Sequence, residues 1–271
     1  MNSLTLDLQQ TAVPAGEVRL YWLGQAGFAF KTGAGAILYL DPCLSDACER
    51  LHNLKRLSLP AIQAEDVKTD WVILTHEHAD HLDPDAIPVI ARNNPQCRFA
   101  GPVDCEPGLV EAGVTPGRRV VLEPSRRHDL HDLVVHTVPA DHGDISPSAL
   151  TLLLDFGDVR VLVSGDSSWR PKFLEPLCDL HPDVVLPVIN GVYGNMSHLD
   201  AAMMVEQAKP RFAIPCHFWT FAEQGAGDPG GFLNACRQLC PATEALTLKP
   251  GEGLTIGKAK APRKHPATTV E

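Results

Sequence analysis

The chain has 271 residues, 44% hydrophobic and 21% charged, which excludes a disordered, collagen-like or coiled-coil protein and leaves enough apolar material for a large core. Acidic residues outnumber basic ones 33 to 23, and the formal net charge of −10 argues against bulk electrostatic binding to nucleic acid or to an anionic membrane. Residues 1–10 show no cationic segment leading into an apolar run, and no stretch reaches the roughly 18 apolar residues of a membrane span. The eight cysteines contain no Cys-x-x-Cys pair, so the expected setting is the cytoplasm, with reduced thiols.

In chain order, alternating apolar and polar residues at 18–23, then 27–31 and 36–40, predict short strands separated by glycine turns. Thr32-Gly33-Ala34-Gly35 lies between two of them and reads as a hairpin turn, because no helix pattern follows it as a phosphate-binding loop would require. Residues 70–74 form a compact apolar run of the kind buried on both faces of a sheet. A helix is predicted over 84–93, with Pro84 in its first turn. Strands follow at 133–138, 149–156 and 159–164, the last two joined by Gly157-Asp158. Then come a helix at 171–180, a strand at 183–188, a helix at 200–209 and a strand at 211–215. Strand clusters each followed by strand–helix alternation predict two mixed sheets packed face to face with helices outside. The expected organisation is an N-terminal segment 1–17, a single domain 18–256 and a flexible basic tail 257–271 carrying Lys258, Lys260, Arg263 and Lys264.

The chemistry concentrates at His76-Glu77-His78-Ala79-Asp80-His81, immediately after the apolar run at 70–74. Imidazoles and carboxylates at the mouth of a buried strand are costly unless something binds them, and their donor types suit a metal ion. In extended backbone His76 and His78 point to one side, whereas Asp80 and His81 need a turn before they can face a second ion. Three further candidates sit at predicted strand ends: His142 in Asp141-His142-Gly143, Asp166 in Gly165-Asp166-Ser167 and His217 in Pro215-Cys216-His217. Four separate strand ends delivering ligand-type residues make coincidence improbable.

The pattern His76-x-His78-x-Asp80-His81 with His142, Asp166 and His217 resembles the metallo-β-lactamase superfamily, over essentially 18–256. Within it, Tyr21-Trp22-Leu23-Gly24-Gln25-Ala26-Gly27-Phe28, Gly165-Asp166-Ser167 and Ile214-Pro215-Cys216-His217 are similar to the L-ascorbate-6-phosphate lactonase-like branch. The resemblance implies an α/β fold, the αββα four-layer sandwich, with the site between the sheet edges. It also implies that His76, His78 and His142 hold one metal, that Asp80, His81 and His217 hold a second, and that Asp166 bridges them. Two divalent ions about 3.5–4 Å apart would share a hydroxide that attacks a lactone or ester carbonyl, with Asp80 passing a proton to the leaving alkoxide. Zinc and manganese are the expected metals, and iron is compatible with the same ligands.

Asn190, Tyr193, Asn195 and His198 are candidate contacts to a small polar substrate; against this, glycine-rich loops favour asparagine for conformational reasons, and Ser197 or Asp200 is placed to cap the next helix. Residues 218–221 read as packing beneath the site, and Arg118-Arg119 and Arg126-Arg127 as solvated charge. The expected partner is a small molecule, with neither nucleic acid nor membrane, and a homo-oligomer is compatible with the sequence. The competing readings are a phosphodiesterase of the same fold and a di-iron oxidoreductase. The latter usually carries His-x-Glu-x-Asp, where this chain has His78.

Overall fold

The computed structural model describes residues 3–131, 133–222 and 227–258. After α1 (Ser3–Gln10), strands β1 (Val18–Gly24), β2 (Gly27–Thr32) and β3 (Ile37–Leu40) form an antiparallel meander. Beyond α2 (Ala47–His52) the chain adds β4 (Trp71–Ile73), β5 (Arg98–Gly101) and β6 (Arg119–Val121) in parallel, with α3 (Ala86–Asn93) and α4 (Glu106–Glu111) between them. The second half uses the same plan. An antiparallel run β7 (Arg127–Asp129), β8 (Val134–Pro139), β9 (Leu150–Asp155) and β10 (Arg160–Val163) leads into three parallel strands. These are β11 (Val184–Leu186), β12 (Phe212–Ala213) and β13 (Glu244–Ala245), interleaved with α5 (Pro171–Cys178), α6 (His198–Ala208) and α7 (Pro229–Leu239). Finally β14 (Gly253–Ile256) returns to pair with β1. The result is two seven-stranded mixed sheets, ordered β14-β1-β2-β3-β4-β5-β6 and β13-β12-β11-β10-β9-β8-β7. The α/β sandwich predicted from the strand–helix pattern is the observed architecture.

Side chains alternate across each strand with period two. Leu20, Trp22, Phe28, Phe30, Leu38, Leu40 and Ile73 share one core with Leu152, Val161 and Leu186 of the second sheet. Their neighbours Tyr21, Leu23, Ala29, Tyr39, Val72 and Leu74 pack on the opposite face with Leu4 and Leu8 of α1 and Ile87 and Ile90 of α3. One expectation is corrected here. The alternation predicted for 18–23 and 27–31 implies a solvated face, yet β2 is buried throughout and β1 leaves only Arg19 partly exposed. α1, which the sequence pattern does not announce, covers that face. Lys31, buried in β2, donates from Nζ to the Gln9 carbonyl at the end of α1 (3.0 Å).

The turn at Thr32–Gly35 closes a hairpin, with Thr32 N–H donating to Ala36 O (3.0 Å) and Gly35 at φ +93°. α6 starts two residues before the predicted 200, because Ser197 and Asp200 form a reciprocal capping box. Strands β5, β6, β7, β13 and β14 and helices α1, α2, α4 and α7 are additions to the elements read from sequence. Arg118, far from being solvated, donates to the carbonyls of Cys97, Ala91 and Asn94 (2.7, 3.1 and 2.8 Å). All eight cysteines are free thiols. Among the described residues no helix is long and apolar enough to cross a membrane. Of the basic tail only 257 and 258 are described, with Lys258 3.2 Å from Asp158; the rest of that prediction lies outside the described residues.

Ser197→Ala removes the α6 cap and is expected to cost about 1 kcal/mol, lowering the melting temperature by about 2–4 °C in a thermal denaturation followed by circular dichroism; an unchanged melting temperature would show that α6 is held by packing alone.

Candidate metal centre

The run after β4 leaves the sheet at Thr75 and turns at once: the backbone N–H groups of His81 and Leu82 both donate to His78 O (2.9 and 2.8 Å). This is the turn that Asp80 and His81 require in order to face the same space as His76 and His78. Asp83 anchors its far end, accepting from the N–H groups of Leu44 and Ser45 (2.9 and 2.7 Å) and of Asp85 and Ala86 (both 3.0 Å). His142 follows β8, Asp166 follows β10 and His217 follows β12. All lie beyond carboxyl ends of strands, where open α/β sheets bind ligands.

The seven predicted residues converge. His76, His78 and His142 place one donor atom each within 4.8 Å of one another; so do Asp80, His81 and His217, and so do His76, His81 and Asp166. His76 Nε2 is 3.0 Å from His78 Nδ1, which is 3.4 Å from His142 Nε2. On the other side His217 Nε2 is 3.2 Å from Asp80 Oδ2, itself 3.7 Å from His81 Nε2. Asp166 stands between the groups: Oδ1 is 3.3 Å from His81 Nε2, and Oδ2 is 3.3 Å from His217 Nε2 and 3.8 Å from His142 Nε2.

Neighbouring groups set the tautomers. Asp41 accepts from His81 Nδ1 (2.8 Å) and from the hydroxyl and N–H of Thr75 (2.6 and 2.8 Å). With its proton given to Asp41, the Thr75 hydroxyl receives His76 Nδ1–H (3.1 Å), and the Ile145 carbonyl receives His78 Nε2–H (3.1 Å). The hydrogen-bond pattern therefore assigns lone pairs to His76 Nε2, His78 Nδ1 and His81 Nε2, all turned inward. Two imidazole lone pairs 3.0 Å apart repel unless a cation lies between them. His81 Nε2 and Asp166 Oδ1 are likewise buried with no hydrogen-bond partner among the described residues. The donor spacings match those around an ion with bonds of about 2.0–2.2 Å, for which neighbouring ligands sit roughly 3–3.6 Å apart. Residues and geometry fit bound metal.

Where no cation is bound, the carboxylates draw protons instead: burial disfavours the His81 cation, but Asp166, Asp80 and Asp41 push its ring well above the usual imidazole range. Burial would raise the carboxyl of Asp80, but the imidazoles of His81 and His217 outweigh it and hold the group far below the usual carboxylate range. Asp166 is held down the same way. Burial drives His76 and His142 toward the neutral, ligand-competent form. His217 moves the other way: burial disfavours its cation, but Asp166 and Asp80 prevail and push it up to about 9. The two carboxylates demand positive charge in this space.

Sequence reasoning missed Asp41 and Gln25. Gln25 donates from Nε2 to Asp80 Oδ2 (2.8 Å), and its carbonyl accepts the His217 N–H (2.8 Å). Gln25, Asp41 and His217 all take left-handed backbone (φ +51°, +42° and +60°), a conformation that non-glycine residues hold only where surrounding contacts enforce it. The candidate substrate residues separate. Tyr193 lines the cleft over the centre. Asn195 is buried and donates to Asp166 Oδ2 (2.8 Å). Asn190 is buried but outside the cleft lining, and His198 lies against Gly231 of α7. Of residues 218–221, Phe218 stacks on Trp22 with ring centroids 4.9 Å apart, and the Thr220 hydroxyl accepts the Gln25 N–H (2.8 Å). The cleft, of about 360 Å³, is lined by His52, Leu54, Ala79, Ile145 and Tyr193 together with five of the ligand-type residues.

The model of the beta-lactamase superfamily domain matches residues 19–217, and a UPF0173 metal-dependent hydrolase of Aeropyrum pernix is 30% identical over 258 residues, 90% of this chain and 99% of that one. The chain belongs to the beta-lactamase superfamily and to the UPF0173 metal-dependent hydrolases. In fold it is similar to Igni18, a metallo hydrolase of Ignicoccus hospitalis (TM-score 0.69, 22% identity, 89% of this chain and 98% of that one). It is also similar in fold to an isothiocyanate hydrolase from Delia radicum gut bacteria (TM-score 0.71, 18% identity, 88% and 99%). This superfamily member thus combines the fold of metal-dependent hydrolases with His/Asp clusters that could bind metal.

Two substitutions test the support around the centre. Asp41→Asn frees the His81 ring and is expected to weaken metal binding about 10–100-fold, read by competition with a chelator of known affinity. Gly165 sits at φ +60°, and a Cβ there would lie 2.6 Å from the Leu150 carbonyl. Gly165→Ala is expected to cost at least about 1–2 kcal/mol and to lower metal content by displacing Asp166, read by thermal denaturation and elemental analysis.

Proposed function

We propose that this chain opens a small lactone or cleaves an ester. His76, His78 and His142 hold one divalent cation, Asp80, His81 and His217 hold a second, and Asp166 is shared between them. The observation that carries this reading is the position of Asp166, with one oxygen 3.3 Å from His81 Nε2 and the other 3.3 Å from His217 Nε2 and 3.8 Å from His142 Nε2. Asp166 thus reaches nitrogens of both sets, His81 and His217 of the second and His142 of the first, which suits a shared ligand. When bound, such cations supply a nucleophilic water at neutral pH and polarise the scissile carbonyl.

The protein's own groups do the rest. Asp41, Thr75 and the Ile145 carbonyl hold three imidazoles in the ligating tautomer. Asn195 steadies Asp166, and Gln25 fixes Asp80 where its carboxylate lines the cleft and can carry a proton to the departing alkoxide. Tyr193 offers its hydroxyl to the substrate at the cleft. The choice of a carboxylic ester or lactone rests on the likeness of residues 21–28 and 214–217 to the L-ascorbate-6-phosphate lactonase-like branch. The mixed nitrogen and oxygen donors suit zinc or manganese, and iron as well.

Elemental analysis of the purified protein is expected to find two divalent ions per chain, and chelation to abolish a lactone or ester hydrolysis that readdition of metal restores. His76→Ala and Asp166→Ala are each expected to lower kcat/KM more than about 100-fold. Turnover of bis-(p-nitrophenyl) phosphate without turnover of any lactone or ester would establish the phosphodiesterase reading instead. Two irons with oxygen consumption would establish the oxidoreductase.

A further inference from the structure

We propose that the substrate is uncharged and carries an apolar arm lying against Leu54, Ile145 and Tyr193, rather than a phosphate or carboxylate group; this rests on the hydrolytic reading of the cleft given above. Apart from the donor cluster itself, the cleft is lined by Leu54, Ala79, Ile145, Tyr193 and His52, with no lysine or arginine among them. A phosphate or carboxylate seated against these walls, away from the scissile bond, would give up part of its water with no lysine or arginine among the described lining residues to receive it. The nearest cations in sequence are committed or lie elsewhere. Arg56 donates to the carbonyls of Cys43 and Ser45 (2.7 and 2.9 Å), Arg170 pairs with Asp141, and Lys55 is outside the lining. The long-range field points the same way, since a chain of net charge −10 repels anions.

Apolar surface is the complementary feature. Ile145 and Tyr193 are 54% and 58% exposed, and both border the cleft, so an alkyl or aryl arm seated between them and Leu54 would remove that surface from water. The cleft volume of about 360 Å³ lies at the lower end of small-molecule sites and suits an arm of a few carbons.

A matched pair of uncleavable probes tests this on the metal-loaded protein. Hexanohydroxamic acid and the monohydroxamate of adipic acid carry the same metal-binding head on chains of the same length, one ending in methyl and the other in carboxylate. Calorimetry is expected to give about tenfold tighter binding for the neutral probe. p-Nitrophenyl hexanoate should show the same preference in kcat/KM over mono-p-nitrophenyl adipate. Ile145→Lys, at a half-exposed position whose backbone carbonyl remains to hold His78, is expected to shrink the preference at least fivefold by supplying the missing cation. Neutral-probe binding less than threefold tighter in the unsubstituted protein would overturn the proposal while leaving the hydrolytic reading intact. An unchanged preference in Ile145→Lys would overturn the placement of the arm. Binding of neither probe to metal-loaded protein would overturn the hydrolytic reading and this proposal together.

Discussion

Mutual repulsion among buried acceptor atoms is the constraint around which this molecule is organised. His76, His81, His142, Asp80, Asp166 and His217 are all under 9% exposed, and their donor atoms crowd into one small volume. Neither lone pairs nor carboxylates tolerate such proximity in a poorly hydrated space unless positive charge lies among them. The surrounding shell removes the easy escape, which is to turn an N–H inward. Asp41 takes the outward proton of His81, Thr75 that of His76 and the Ile145 carbonyl that of His78, so in the neutral rings the inward nitrogens are the bare ones.

The fold holds this arrangement because each half of the chain is built alike. An antiparallel meander forms one side of each sheet, and parallel strands then extend it through helical crossovers. Loops at the carboxyl ends of β4, β8, β10 and β12 reach one common edge, so residues as far apart as 78 and 142 come within 3.4 Å. β4 is buried throughout and β10 in all but Arg160, which fixes two of these strand ends within the core. Left-handed backbone at Gln25, Asp41, Tyr193 and His217 gathers around the cleft, which is where local strain belongs when rigid packing elsewhere can sustain it.

The supporting residues were harder to read than the ligands. The ligand run stands out because four donor-type side chains fall within six residues beside an apolar strand. Asp41 carries a weaker version of that signal: a carboxylate directly after the apolar strand Ile37–Leu40, the same strand-end placement that drew attention to Asp166. Gln25 carries almost none, since an amide between two glycine turns is ordinary in sequence. Arg118 shows the converse error. Its neighbour Arg119 made the pair look like solvated charge, yet its guanidinium closes three backbone carbonyls.

By itself the amino-acid order determined the strand-and-helix alternation, the two-sheet class and which residues are candidate donors, because these depend on local burial patterns and on side-chain chemistry. Only the tertiary structure decided that helix Ser3–Gln10 covers the outer face of the first sheet, that Asp41 and Gln25 hold His81 and Asp80, and that Leu54, Ala79 and Ile145 border the donor cluster with no lysine or arginine among the described lining residues. Those outcomes depend on contacts between segments tens to hundreds of residues apart. No local pattern encodes such contacts, because they exist only once both sheets have been assembled and their loops brought to one edge.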